Sequence, residues 1–264
     1  MSPAPTPPAS GAAPSPPAAA QTPGFGRLDP LPGPDQKTQA VREMFDTIAS
    51  RYDLVNRLMT FGLDITWRRR TVRALGLAAG CCVLDVACGT GDLSRELARQ
   101  QLRPIGADLS AGMLRAGLAT VPVIQADASD LPVPDAAVDG VACAFGMRNF
   151  SNLPAVLAEM GRVLRPGGRL ALLDVAPTTG VVHMGHRLWF ERAVPIIGAI
   201  FSDPAAYRYL PRSVAYLPPT PELLSWVRRA GFSGVNRRLL GGGIVQLITG
   251  TRTPAPTTSL VTRP

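Results

Sequence analysis

Residues 83–94 read VLDVACGTGDLS, and this stretch decides the fold of the chain. It begins as an apolar run with one acidic residue, Asp85, which is typical of a buried parallel strand. Gly89 and Gly91 follow, and glycine lets a backbone turn sharply and approach a ligand closely. A helical pattern begins directly afterwards. Because ligands of open α/β sheets bind beyond the carboxyl ends of the strands, the stretch predicts a strand, a ligand-binding loop and a helix.

Strand and helix patterns alternate along the rest of the folded part. The predicted strands are 82–87, 104–108, 121–125, 138–145, 170–175, 235–240 and 244–249. The predicted helices are 93–99, 111–118, 153–164 and 222–230, and the third of them is predicted to end in a turn at 165–168. Strands that are apolar on both faces form parallel sheets with helices on both sides. We therefore predict an α/β, Rossmann-like fold with a seven-stranded, mostly parallel sheet.

Composition divides the chain into one domain with two tails. Residues 1–36 are rich in proline and alanine and are predicted to be disordered, as are residues 253–264. The folded domain, 37–252, is predicted to begin with a helical cap over 37–75, broken at Gly62 and Asp64. It is also predicted to carry a partly helical insertion at 178–219, after the fifth strand. No stretch has the roughly 18 apolar residues of a membrane span, and no secretory signal is recognisable, so we expect a cytoplasmic protein.

The charge of the chain restricts its partners. It has 27 basic and 19 acidic residues, a net charge of +8, and Lys37 is its only lysine. The arginines do not cluster with aromatic residues, so no nucleic-acid partner is expected. A transient, peripheral contact with the anionic inner face of the plasma membrane follows from the charge instead. His183 and His186 stand three apart without further ligands at metal spacing, so no metal is expected.

Acidic residues at the predicted strand ends indicate a nucleoside site. Asp108 ends the second strand 17 residues after Gly91, placed to bind both hydroxyls of a ribose, and Asp127 follows the third strand, placed to meet an adenine amino group. A dinucleotide fold needs a third glycine, where Ser94 stands here. S-adenosylmethionine has no phosphate and carries cationic groups that Asp85 suits. We predict this cofactor; the alternatives are a dinucleotide oxidoreductase and, for Asp85, a turn or helix-capping carboxylate.

Five separated motifs follow one another along the chain. They are FDTIASRYDLVN at 45–56, LDVACGTGDL at 84–93, FGMRN at 145–149, YRYL at 207–210 and GGIV at 242–245. With these motifs the chain resembles the UbiE/MenG family of quinone-biosynthesis C-methyltransferases over about 41–250. The resemblance implies a class I methyltransferase fold and methyl transfer from S-adenosylmethionine to a ring carbon of a polyprenylated hydroquinone. Demethylmenaquinol is the first candidate acceptor; the alternatives are a benzoquinol intermediate of ubiquinone biosynthesis and another small molecule.

The family's cofactor contacts can be carried over position by position. They fall on Thr90, Asp108, Asp127 and Ala128, beside the loop glycines Gly89 and Gly91. Ala144 stands where the family often has a serine, so a side-chain hydrogen bond is absent there. Two further departures, at 174–177 and 246–248, lie on the substrate side and leave the exact acceptor open.

Methylation of a hydroquinone carbon requires that the neighbouring hydroxyl lose its proton. By resemblance, Arg148 and Asn149 at the end of the fourth strand are the predicted catalytic residues. A guanidinium stays protonated, so Arg148 is expected to stabilise a phenolate rather than act as a base. The alternative is that Arg148 only pairs with an acidic residue. The predicted substrate-binding residues, with plain helix packing as their alternative, are Tyr52, Asp53, Tyr207 and Arg208.

The acceptor's isoprenoid tail needs an apolar surface. Residues 183–201 are expected to roof the tail or to dip into a membrane, with a core helix as the alternative. Their large apolar side chains include Met184, Leu188, Trp189, Val194, Ile196, Ile197 and Ile200. The lipid-soluble hydroquinone is the expected partner, and a homodimer or a quinone-biosynthesis complex is the expected assembly. A non-catalytic cofactor-binding module within such a complex is the rival from a different class.

Overall fold

A seven-stranded sheet forms the centre of the computed structural model, which describes residues 34–117, 121–177, 209 and 212–254. Its spatial order is β3-β2-β1-β4-β5-β7-β6. The first five strands in this order, β3, β2, β1, β4 and β5, pair in parallel. β7 pairs antiparallel with both of its neighbours, β5 and β6. The strands are β1 (Cys82–Val86), β2 (Arg103–Asp108), β3 (Val123–Gln125), β4 (Val138–Ala144), β5 (Leu164–Val175), β6 (Phe232–Leu240) and β7 (Val245–Arg252). The predicted mostly parallel, seven-stranded fold is confirmed.

Helices cover both faces of the sheet. They are α1 (Pro34–Ile48), α2 (Tyr52–Thr60), α3 (Leu63–Leu75), α4 (Asp92–Arg99), α5 (Ala111–Ala116), α6 (Leu153–Val163) and α7 (Thr220–Arg229). Short 3₁₀ turns stand at Ala49–Arg51, Met147–Asn149, Ser213–Tyr216 and Gly241–Gly243. α1 begins at Pro34, three residues before the predicted domain start, because proline is well suited to a first helical position.

Two hydrophobic layers hold the helices on the sheet. β1 shows the alternation, since Leu84 packs into the layer under α6 and α7, whereas Val83 packs into the layer under α3 and α4. Both side chains are fully buried. A third, smaller cluster joins α1 to Tyr209. This arrangement leaves the carboxyl ends of the strands free, and the strand order reverses there between β1 and β4, where α/β sheets bind ligands.

Two local predictions differ from the structure. The cap was expected to break at Gly62 and Asp64; the break lies at Phe61 and Gly62, which adopt left-handed conformations, and Asp64 is already inside α3. The turn expected at 165–168 falls within the bounds of β5, where pairing with β4 shifts between Leu164 and Arg169. Gly167 has a φ of +78° there, so the backbone turns locally within the strand and interrupts its regular pairing with β4.

Several predictions fall on residues outside the described ranges. These are most of the two predicted tails, most of the insertion 178–219 with its apolar stretch 183–201, and the candidate residues Tyr207 and Arg208. Within the described part of the chain, no helix combines the length and the apolar character needed to cross a membrane.

Candidate active site

A cleft opens at the carboxyl ends of β1, β2 and β4, roofed by the N-terminal cap. It encloses about 1170 Å³, including its solvent-open part. The strand ends and the cap both line the cleft, so a ligand bound in it would contact both. The cap contributes Thr38, Val41, Arg42 and Phe45 from α1, Tyr52 from α2 and Arg68 from α3.

The glycine loop forms the floor of the cleft. Gly89 lines it with a φ of +57°, and its amide N–H donates to a carboxylate oxygen of Asp108 over 2.7 Å. Gly91 is not among the lining residues; it has a φ of +86° and precedes the first residue of α4. Its left-handed conformation turns the chain into the helix, which is why glycine stands there. Gly91 therefore shapes the loop, whereas Gly89 faces the ligand space.

Asp108 stands at the end of β2 on the opposite wall. Its second oxygen accepts a hydrogen bond from the Ser110 amide over 2.8 Å, so both oxygens are held by backbone N–H groups. Burial raises the pKa of this carboxyl and outweighs the effect of these two hydrogen bonds. A carboxylate fixed in this way can still accept hydrogen bonds from ligand hydroxyls, because each oxygen has two lone pairs. This is the geometry expected of a ribose-binding residue.

Asp85, at the end of β1, has an unfilled bonding position. One of its oxygens accepts a hydrogen bond from the Ser94 hydroxyl over 2.7 Å. The other is buried and has no hydrogen-bond partner among the described residues. Burial raises the pKa of Asp85 to about 7. A buried carboxylate without a full set of partners is costly, so a cationic ligand group bound against Asp85 would be stabilised. The residue fits the amino group of S-adenosylmethionine.

This raised pKa predicts that cofactor binding depends on pH. A bound cation favours ionised Asp85, so below pH 7 the carboxyl must release a proton before the cation can pair with it. Affinity should therefore fall about tenfold between about pH 8 and pH 6. Calorimetric titration at both pH values measures it. Asp85→Asn should bind the cofactor more weakly, and its affinity should not change between the two pH values. Asp127→Asn should show the same dependence of affinity on pH as the wild type. A wild-type affinity that does not change over this range would contradict the prediction.

The remaining predicted cofactor residues line the same cleft. Asp127 follows β3 and accepts hydrogen bonds from the amide and hydroxyl of Ser129 over 2.8 and 2.7 Å. Ala128 lines the cleft beside it and is almost fully buried. Ala144 lines it from the end of β4 and contributes no side-chain hydrogen bond. The described structure thus brings all the predicted cofactor residues except Gly91 to one continuous surface.

The cap is tied to the glycine loop through Thr90 and Asp53. The Thr90 hydroxyl donates to Asp53 over 2.6 Å, and Arg95 lies 3.5 Å from the same carboxylate. Asp53 was predicted to bind the acceptor, but it is not among the lining residues. Its carboxylate joins α2 to the loop instead. Tyr52, the neighbouring residue, does line the cleft, and burial raises the pKa of its hydroxyl.

Arg148, predicted as a catalytic residue, bonds to other parts of the protein in the described structure. It lies in the turn Met147–Asn149 after β4, and Asn149 but not Arg148 lines the cleft. The Arg148 guanidinium forms a buried ion pair with Asp174 of β5 and donates to the Phe145 carbonyl over 2.9 Å and to Ser213 over 3.2 Å. These partners hold the guanidinium beside Phe145, with the guanidinium carbon 5.9 Å from the centroid of that ring. The geometry therefore supports the alternative, in which Arg148 pairs with an acidic residue, here Asp174.

Arg68 is a cleft residue that sequence reasoning missed as a site. It is buried, ion-paired with Asp64 one turn earlier in α3, and 3.9 Å from Asp92. Its guanidinium carbon lies 5.3 Å from the centroid of the Phe145 ring, and Phe145 also lines the cleft. The i,i+4 spacing of Asp64 and Arg68 was the available signal, because such a pair marks one face of a helix.

Lys37 also went unassigned, although it is the only lysine. Its ammonium group donates to the carbonyls of Arg148 over 3.0 Å and Phe150 over 2.8 Å, and lies 3.6 Å from the centroid of the Tyr216 ring. Burial lowers its pKa to about 8. Lys37 thereby connects α1 to the turn that carries Asn149. Its isolation in the sequence offered no signal for this role.

The strand order, the glycine loop and the acidic residues at the ends of β1, β2 and β3 define a Rossmann-like, S-adenosylmethionine-dependent methyltransferase of class I. The model of the ubiE/COQ5 methyltransferase family matches residues 34–252, and the chain belongs to this family. It is 42% identical to the ubiquinone/menaquinone biosynthesis C-methyltransferase of Syntrophotalea carbinolica, over 81% of this chain and 94% of that protein. It is 42% identical to the demethylmenaquinone methyltransferase of Roseiflexus castenholzii, over 83% of this chain and 96% of that protein.

A solved structure supports the fold alone. Phosphoethanolamine N-methyltransferase 2 of Haemonchus contortus, in complex with S-adenosyl-L-methionine, superposes with a TM-score of 0.62 at 12% identity. The match covers 81% of this chain and 60% of that chain.

Proposed function

We propose that this enzyme methylates a ring carbon of a polyprenylated hydroquinone, with demethylmenaquinol as acceptor and menaquinol as product. The observation that carries the proposal is the near full-length similarity to a protein named demethylmenaquinone methyltransferase, which extends over 96% of that relative. A second acceptor, the benzoquinol intermediate of ubiquinone biosynthesis, is favoured by the name of the Syntrophotalea carbinolica relative, which covers both quinones.

Seven residues of the cleft are the proposed cofactor contacts. Asp108 would hold the ribose, Asp127 and Ala128 the adenine, and Asp85 the amino group, while Gly89 leaves space for close approach of the ligand. Thr90 and Ala144 complete the wall. The fit rests on the unpartnered buried oxygen of Asp85, which a cation would satisfy. The cofactor supplies a methyl group on a positively charged sulfur.

The acceptor-side chemistry is assigned to the groups that face the cleft from the cap and from the end of β4. A hydroquinone carbon becomes nucleophilic when its neighbouring hydroxyl ionises, so a donor or a positive charge near that oxygen lowers the barrier. Tyr52 and Asn149 offer such donors, and buried Arg68 offers a charge. The carbonyl oxygen of the Asn149 side chain is oriented by the Tyr209 hydroxyl at 3.3 Å.

Arg148 is proposed as a positioning residue. Its ion pair with Asp174 and its bond to Phe145 fix the turn that carries Asn149, and its contact with Ser213 links that turn to the C-terminal part of the predicted insertion. The positive charge of Arg148 also favours ionisation of Tyr52, against the larger effect of burial. Its contribution to methyl transfer would thus be indirect.

Replacing Tyr52 by phenylalanine tests the acceptor side. Tyr52→Phe removes one donor from the cleft and should lower kcat about tenfold, the worth of one hydrogen bond to a developing charge, while cofactor affinity stays within about twofold. Steady-state kinetics and calorimetry measure the two quantities. Tyr216→Phe is the control, because Tyr216 does not line the cleft. An unchanged kcat for Tyr52→Phe would remove this residue from the acceptor site.

Quinone extracts test the function in cells. Cells that lack this protein should accumulate a demethyl quinone, and its mass identifies the naphthoquinone or benzoquinone acceptor. Unchanged quinones in those cells would contradict the proposal and favour another small-molecule acceptor.

A further inference from the structure

Four large apolar side chains stand exposed together on the N-terminal cap. Leu54, Leu58, Phe61 and Leu63 are 52%, 40%, 73% and 47% exposed. Only two other large apolar side chains of the described residues are exposed, Val123 and Leu239, and these lie on β3 and β6. Single exposed apolar residues are ordinary, but a group of them within ten residues is typical of a binding surface. We call these four residues the cap patch.

The cap patch lies on the outer side of the helix that walls the cleft. In α2, Val55 and Met59 are buried and Tyr52 lines the cleft, whereas Leu54 and Leu58, one turn apart, are exposed. Phe61 and Leu63 extend the patch through the turn into α3. One helix therefore separates the patch from the proposed acceptor side. A partner bound to the patch would lie next to the cap that covers the cleft.

The charges around the cap patch are positive. Every exposed charged side chain between residues 51 and 73 is an arginine: Arg51, Arg57, Arg69, Arg70 and Arg73. The two acidic residues of this stretch are not exposed, and they bond within the protein, Asp53 to Thr90 and Asp64 to Thr60 and Arg68. Arg57 and Arg69 also contact Asp92 and Glu96, and the five exposed arginines outnumber these two carboxylates.

We propose that the cap patch docks the enzyme on an anionic lipid bilayer. Apolar side chains with an arginine rim are the composition of interfacial membrane-binding helices, which enter the boundary between headgroups and acyl chains and pair with anionic lipids. The choice of partner rests on the proposed function, since a polyprenylated acceptor resides in the bilayer. Docking through α2 would bring the cap of the cleft to the surface from which that acceptor must be taken.

Vesicle flotation of the full chain tests the docking surface. Wild-type protein should float with phosphatidylcholine vesicles that contain phosphatidylglycerol, and much less with phosphatidylcholine alone. The patch variant Leu54→Gln, Leu58→Gln and Phe61→Asn should bind the anionic vesicles at least about tenfold more weakly, because it lacks the apolar contacts. Asn is chosen because Phe61 has a φ of +52°, which Asn tolerates. Val123→Gln with Leu239→Gln is the matched control and should bind as wild type does.

The arginine rim has its own matched pair of variants. Arg70→Gln with Arg73→Gln should weaken binding about tenfold at low salt, whereas Arg228→Gln with Arg229→Gln removes the same charge from exposed positions of α7 and should have little effect. Equal thermal unfolding midpoints establish that each variant is folded. Equal flotation of the patch variant and wild type would overturn the proposal. So would a wild-type dimer, formed without vesicles, that the patch substitutions dissociate, because the patch would then bind a second copy.

Activity separates this proposal from the proposed function. With a short-tailed, water-soluble demethylmenaquinol the patch variant should turn over at the wild-type rate, and with a long-tailed acceptor embedded in anionic vesicles it should be at least about tenfold slower. Absence of wild-type turnover with either acceptor would contradict the proposed function while leaving the flotation result valid. Equal rates of variant and wild type on the vesicle-borne acceptor would contradict a role of the patch in acceptor delivery.

Discussion

Asp108→Ala is expected to weaken S-adenosylmethionine binding about 100-fold. The substitution removes the acceptor for the ligand hydroxyls and also releases the amides of Gly89 and Ser110, which the carboxylate holds. Hydrogen bonds to a charged group contribute about 1.5–3 kcal/mol each, so losing the ligand contact and loosening the loop together account for about 2.7 kcal/mol. Isothermal calorimetry of the folded variant measures the loss.

The control for this prediction is Asp127→Ala. Asp127 stands in the same cleft but is partly exposed, and its carboxylate accepts hydrogen bonds from Ser129, so its removal should weaken binding about tenfold or less. Equal losses for the two variants, or a loss of under about threefold for Asp108→Ala, would contradict the assignment of Asp108 as the main ribose-binding residue.

Asp174→Ala is expected to lower the free energy of unfolding by about 3–5 kcal/mol, because it leaves the buried guanidinium of Arg148 without its counter-charge. The side chains of Arg148 and Asp174 are only 7% and 0% exposed, so solvent cannot replace the lost partner. Denaturant unfolding at neutral pH measures the change. The double variant Arg148→Met with Asp174→Leu should be markedly more stable than either single variant, since no charge remains buried.

Activity of the same variants distinguishes two roles for Arg148. If Arg148 positions the turn, Arg148→Lys should retain much of both stability and kcat, because it keeps a charge beside Asp174. If Arg148 met the acceptor directly, Arg148→Lys would remain stable and yet lose kcat severely. Unfolding curves and steady-state rates measured on one preparation decide between these outcomes.

Most of the fold was predictable because each element carries its own local pattern. β1 and β4 are apolar on both faces, and the loop glycines mark the turn into α4. The start of α3 was not predictable by the same means. Asp64 looked like a helix breaker, but in the structure it bonds Thr60 and Arg68 at four-residue spacing and so stabilises the start of the helix.

The cofactor half of the site was predictable, whereas the acceptor half was not. Asp85 and Asp108 lie at the ends of β1 and β2, Asp127 follows β3, and the carboxyl ends of parallel strands meet at one edge of a sheet. The orientation of Arg148 depends instead on Asp174, which lies 26 residues away on the neighbouring strand. Such a partner becomes visible only when β4 and β5 are placed side by side.

Transfer of a labelled methyl group tests the central claim most directly. The purified full chain, supplied with methyl-labelled S-adenosylmethionine and a short-tailed demethylmenaquinol, should place the label on a ring carbon of the quinone. The product should gain one methyl group, and Asp108→Ala should lower labelling about tenfold at a cofactor concentration about ten times the wild-type Kd. A wild-type protein that binds S-adenosylmethionine and labels neither this quinol nor the benzoquinol intermediate would contradict the account.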